Sequence, residues 1–465
     1  MGEDSILPIS EDKELKATPS RLTQPPSSLT VNNGNTVTAR DVHFAFSNET
    51  LRDDYHADNR ASWYQPEVTY EARVQSGQFN HRVRDPGWRR MVQNFTPSWF
   101  SVIMGTGIVS TLLNVLPYNG YWLRWISIVI FALNVFLFIA GCILSIIRYT
   151  MYPKTIRAVI FHPVQAMFLG AFPMGLSTIV NMFCLVCVPA WGTWAAEFAL
   201  ALWSLDAAIS VLCALSLPFS LMLSNKDTHL STMTAVWLMP IVTCVVASGT
   251  GGIVAQVLPD PDQAFGVIVA SYILWGIGVP LSLMVFVIYF QRLTIHKLPP
   301  KETIVSVFLP MGPLGSGAFS ALKLGLTAKE TFAKSSFLFD KSIIPTVYAM
   351  GFMTALVFWA FGLVWLFFAS ASILRCKKFP FNIGWWGFTF PLGAYALATC
   401  QLGMEMDSSF FKVIGTILSL CVVILWILVS VGTLRGTVSG RLLVDPALAE
   451  MRDKQERKRL SAYLG

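Results

Sequence analysis

The chain has 465 residues, of which 54% are hydrophobic and only 13% charged, against about 45–50% and about 25% in soluble proteins. With a net charge of +7 and a mean hydropathy of +0.55, a soluble fold is excluded. The charge is uneven: residues 1–96 hold 11 Lys and Arg against 13 Asp and Glu, whereas the remainder holds 23 against 14.

From Met1 to Gln93 the chain is rich in Ser, Thr, Asn, Pro and paired charges and has no apolar run. Such a segment buries too little surface to offset its chain entropy, so residues 1–93 are expected to be a disordered tail without secretory character. Arg82, Arg84, Arg89 and Arg90 end this tail where a cytosolic charge anchor belongs.

Apolar stretches then recur from Pro97 to Arg435. Each runs for at least about 18 residues, enough at a rise of about 1.5 Å per residue to cross a bilayer core. Ten spans are expected: 97–117, 122–147, 163–187, 194–223, 232–258, 264–290, 303–325, 343–373, 384–404 and 411–434. This gives a membrane domain over 94–440 and a charged cytosolic tail over 441–465. Loops on the leader's side carry ten Lys and Arg and the opposite loops six, which predicts that both termini are cytosolic. Lys323 and Lys329, at the one basic region on the opposite side, are placed to attract anions at an outer mouth.

Within the spans, most of the glycine and proline lies in the odd-numbered ones, including Gly105, Gly107, Pro173, Gly175, Pro240, Gly249, Pro310 to Gly317, Gly387 and Pro391. Small residues let backbones approach, and proline frees a carbonyl that must face protein or water. The pattern predicts an all-α integral membrane fold of ten transmembrane helices in five hairpins. Each hairpin pairs a kinked helix with a straighter one, and the five kinked helices form an inner ring around a central pore.

The interiors of the odd spans contain no Asp, Glu, His or Arg. Their hydroxyls therefore become the expected pore lining: Thr106, Ser110, Ser177, Ser248, Thr250, Ser316, Ser320 and Thr389. Hydroxyl donors without carboxylates disfavour cations and tolerate small anions. All six histidines lie in the leader or in cytosolic loops and their edges, which speaks against a metal-dependent membrane enzyme. No catalytic activity, metal or cofactor is expected. The buried acid Asp206 has two readings, a proton carrier or a structural hydrogen-bond partner for hydroxyls of a neighbouring span. Cys184 and Cys187 form a CxxC without a second pair, and buried free thiols are expected.

The run from Asn94 to Val109, NFTPSWFSVIMGTGIV, resembles the first span of fungal sulfite efflux pumps. These belong to the tellurite-resistance/dicarboxylate transporter family, which also contains plant guard-cell anion channels. GWWGFTFPL, from Gly384 to Leu392, is similar to that family's ninth-span motif, and the resemblance covers residues 90–440. It implies export of sulfite or bisulfite across the plasma membrane, homo-oligomers, and a pore blocked at mid-depth by an aromatic residue. It places that gate on Phe390 facing Gly105, while Phe388, about 200° away round a helix, points elsewhere. The alternative is a malate or dicarboxylate carrier, with or without proton coupling. The partners expected are the lipid bilayer and a small inorganic anion, not nucleic acid. A monovalent anion leaving a cell held about 100 mV negative gains about 2.3 kcal/mol, so a channel-like, voltage-driven pore suffices for export.

Overall fold

The computed structural model describes residues 87–223, 229–337, 340–376, 379–446 and 448–449. The acidic leader up to Pro86, with Arg82 and Arg84, and the chain from Glu450 onward lie outside the described residues. The described residues are helical, with no strand among them.

Ten principal helices follow in order: α1 (Phe100–Val115), α2 (Tyr121–Met151), α3 (Ala171–Met182), α4 (Thr193–Met222), α5 (Met239–Val257), α6 (Pro261–His296), α7 (Met311–Phe332), α8 (Ile344–Arg375), α9 (Thr389–Glu405) and α10 (Ser409–Val438). Among the described residues, nine helical segments are long and apolar enough to cross a membrane. The stretch expected as the ninth span is divided into a 3-10 turn, Ile383–Gly387, and the 17-residue helix α9.

That division is part of a repeat. A short 3-10 turn precedes every odd helix: Pro97–Trp99, Met167–Gly170, Ala235–Leu238, Ile304–Phe308 and Ile383–Gly387. Pro173, Pro240, Pro313 and Pro391 then fall at the second or third position of α3, α5, α7 and α9. A first-turn N–H has no intrahelical acceptor, so proline loses nothing there. These prolines start the α-helical parts after the 3-10 joins, so the break in each of these odd spans lies near its start. The prolines inside helices, Pro218 and Pro280, lie in the even helices α4 and α6.

The odd helices form a closed ring. α1 packs on α3, α3 on α5, α5 on α7, α7 on α9, and α9 returns to α1. Each even helix lies against its hairpin partner and the next odd helix, as α4 does against α3 and α5, and α6 against α5 and α7. Between 78% and 100% of the apolar window is buried in the segments carrying α1, α3, α5 and α7, against 22–39% in the even segments. The even helices turn large apolar side chains outward, among them Phe136, Leu212, Val287 and Phe367. A continuous apolar exterior of this kind is stable only against hydrocarbon, so the chain is a multi-pass membrane protein.

The first and last parts of the membrane domain are tied together. Arg148, near the end of α2, pairs with Asp445 at 2.5 Å, and both side chains are fully buried. Arg148 also donates to the carbonyl of Phe95, and the backbone N–H of Asp445 donates to Asn94 Oδ1 at 3.2 Å. The chain turns back after α10 at Gly440, whose φ of +72° suits a residue without a side chain. Gly87–Gln93 is a short helix, and the start of the C-terminal tail is docked.

Candidate anion pathway

The five odd helices converge on a cavity of about 10 Å³, room for one water at most. Its wall comes from every member of the ring: Met104 of α1, Met174 of α3, Met239 and Val242 of α5, Gly312 of α7, and Phe390 with Pro391 of α9. Leu238 and Leu309, from the 3-10 joins, complete it. No polar side chain contributes. The axis is closed at this level by thioether, aliphatic and phenyl groups.

Close contacts fix the register of the ring above and below the cavity. A Cβ built on Gly175 would meet Ile103, one on Gly393 would meet Ile108, and one on Gly249 would meet Phe319 and Ser320. At Gly315 a Cβ would lie 2.7 Å from backbone atoms of Ala394 and Tyr395, so only glycine permits α7 and α9 to touch there. Met104, Met174, Val242, Gly312 and Phe390 therefore mark one level of five aligned helices.

Phe390 is buried and lines this cavity. Gly105 does not face it. A Cβ there would lie 2.6 Å from the Trp386 ring, so Gly105 makes room for the α1–α9 seam, and the α1 residue on the cavity is its neighbour Met104. The sequence motif places the glycine within one residue of the axis, but one residue is about 100° of helix. Phe388 points away, into a cluster with Phe308 at 5.0 Å and Trp385 at 5.7 Å between ring centroids.

Most of the hydroxyls expected to line the path face seams instead. Thr106 accepts from Trp426 Nε1 of α10 at 3.1 Å, and Ser110 exchanges hydrogen bonds with Ser127 of α2 at 3.1 and 2.8 Å. Ser177 donates to Asp206 of α4. Ser320 donates to the Val245 carbonyl of α5 at 2.9 Å, and Thr389 donates to the Trp386 carbonyl at 2.9 Å. Ser248 and Thr250 are buried with unpaired hydroxyls, at about 120° and about 80° round α5 from Val242. Only Ser316 stays near the axis, one turn beyond Gly312 and about 40° round. In a low-dielectric interior an unpaired hydroxyl is costly, and Thr106, Ser110, Ser177, Ser320 and Thr389 take the partners that neighbouring backbone and side chains offer.

Asp206 is fully buried, with one carboxylate oxygen bonded to Ser177 and the other unpaired. It joins α3 to α4, and it is not part of the cavity wall. Lys323 donates to Gln256 of α5, and the Lys329 ammonium lies over the Tyr348 ring at 4.8 Å. The eight cysteines are free thiols, and Cys184 and Cys187 fall in a π turn, Phe183–Cys187, that follows α3.

Residues 94–434 match the family model for the voltage-dependent anion channel family, SLAC1. The chain is 46% identical over 362 residues to the sulfite efflux pump SSU1 of Arthroderma benhamiae, covering 76% of this chain and 96% of that protein. It is 47% identical over 339 residues to SSU1 of Arthroderma otae, covering 73% and 89%. The malic acid transport protein of Schizosaccharomyces pombe is more distant, 25% identical over 345 residues, with 72% and 77% covered.

Proposed function

The chain belongs to the voltage-dependent anion channel family, and from that premise we propose that it exports sulfite or bisulfite through the axis of its inner ring. The observation that carries the reading is the apolar closure at Phe390, to which all five odd helices contribute. A constriction of phenyl and thioether groups holds no water, and an anion meets its barrier there. Moving the Phe390 ring breaks no hydrogen bond of the seams. The membrane voltage then drives the anion outward, with no nucleotide or cofactor needed.

In this reading all ten helices cross the plasma membrane, both termini are cytosolic, and the protein assembles as a homo-oligomer. Residues 1–93 and 441–465 form the cytosolic tails. Phe390 is the gate, with Met104 in place of Gly105 as its neighbour on α1. Asp206 serves packing through Ser177 rather than proton transfer. Lys323 and Lys329 draw anions to the outer mouth. The pairing with sulfite efflux pumps at 46% identity supports sulfite over malate, whose named transporter is 25% identical.

The test is radiolabelled sulfite efflux from proteoliposomes at clamped voltage. Efflux is expected to rise with inside-negative potential and to ignore an imposed pH gradient. Transport of malate in preference to sulfite, or efflux that requires a proton gradient, would overturn the proposal.

A further inference from the structure

The wall of the inner ring changes character beyond the constriction. On α7 three faces are occupied: Gly315 meets α9, Ser320 bonds to α5, and Gly317 packs on Phe358 of α8. The face left for the axis runs from Gly312 through Ser316 and the buried ring of Phe319 to Lys323. Lys323 is eleven residues beyond Gly312, about 16 Å along the helix and about 20° round it. Its stem passes Gly252 of α5, where a Cβ would come 3.1 Å from Lys323 Cγ, and its ammonium donates to Gln256 Oε1. An ammonium has three N–H donors, so this bond leaves two for another acceptor.

Two amides lie on the axis-facing sides of α3 and α9 by the same helix geometry. Asn181 lies seven residues beyond Met174 of α3, on the same helix face and about 10 Å further out. It is only 7% exposed, yet its side-chain oxygen has no hydrogen-bond partner. A half-turn of the amide offers its NH2 to the axis instead, and a bound acceptor would relieve the unmet polarity. Gln401 of α9 lies eleven residues beyond Phe390, level with Lys323. Two acidic groups lie near this end. Glu405 accepts from Tyr348 at 2.5 Å, and Glu330, two turns beyond Lys323, is close enough for its charge to act on the ammonium.

We propose that Lys323, Asn181 and Gln401 form an anion-holding station on the outer side of the constriction, which takes a small oxyanion such as sulfite or bisulfite. The direction of passage rests on the export reading, but the binding does not. An anion that has crossed the apolar barrier finds the Lys323 ammonium and two amides, with Lys329 of α7 six residues further out over the Tyr348 ring. This is attractive enough to pull it through and weak enough to release it.

The experiment reads binding and flux separately. Thermal melting of the purified full-length protein in detergent, titrated with sodium sulfite at constant ionic strength, is expected to show saturable stabilisation. Lys323→Gln should raise the half-effective sulfite concentration about tenfold, the loss of one charge-assisted hydrogen bond. Lys323→Arg should stay close to wild type, and Asn181→Leu should fall between. In proteoliposomes, Lys323→Gln should raise the half-saturating sulfite concentration by a similar factor and leave the maximal rate largely intact. An unchanged titration in both Lys323→Gln and Asn181→Leu, or no stabilisation of the wild type by sulfite, would overturn the station. A wild type that binds sulfite but does not transport it would overturn the export reading and leave the station standing.

Discussion

The axis and the seams of this molecule divide the polar and apolar work in opposite senses. The seams between helices hold its hydroxyls and buried ions, such as Ser110 with Ser127, Ser177 with Asp206, and Arg148 with Asp445. The axis, where ions are proposed to pass, is walled by methionine, valine and phenylalanine. Apolar side chains gain little from meeting each other in lipid, so hydrogen bonds and close packing must hold the helices together. A gate has the reverse requirement. It must separate easily and keep water out, and weakly interacting apolar groups meet both needs.

Breaking a seam should therefore cost stability, and the deepest ion pair should cost most. Arg148→Met removes the buried guanidinium that Asp445 pairs with and is expected to lower stability by about 3–5 kcal/mol. Pairing it with Asp445→Leu should restore most of the loss in a detergent melting assay. Phe388→Ala removes a ring from the cluster with Phe308 and Trp385 and should cost about 3 kcal/mol without raising anion conductance. A leak through Phe388→Ala as large as that through Phe390→Ala would erase the distinction between seam and axis. Thr106→Val deletes the acceptor for Trp426 and should cost about 1 kcal/mol, with ion selectivity unchanged in bilayer recordings. The smallest effect is expected from Asp206→Asn, which can still accept from Ser177. Sulfite efflux measured against external pH should match the wild type, and a lost pH response in folded protein would return Asp206 to proton transfer.

The sequence carried the hairpin plan because glycine and proline alternate with bulky spans, and the structure matches this alternation in burial. It did not say where the breaks fall: Pro173, Pro240, Pro313 and Pro391 each lie in the first turn of an α-helix that follows a 3-10 turn. Hydroxyl positions were visible, but their direction was not, because one residue turns a side chain by about 100°. Gly105 and Met104 differ by that one step. The Arg148–Asp445 pair spans 297 residues, and no local pattern joins its halves. Asn181 went unread because an asparagine in an apolar helix looks like any packed amide until its missing partner is seen.

The central claim is that the apolar closure at Phe390 governs passage. The direct test is macroscopic anion conductance of Phe390→Ala against wild type at equal surface density, with Phe388→Ala as the packing control. Removing about 3 kcal/mol of barrier should raise the conductance roughly a hundredfold, with reversal near the equilibrium potential of the permeant anion. A well-expressed Phe390→Ala protein with wild-type conductance would contradict the account.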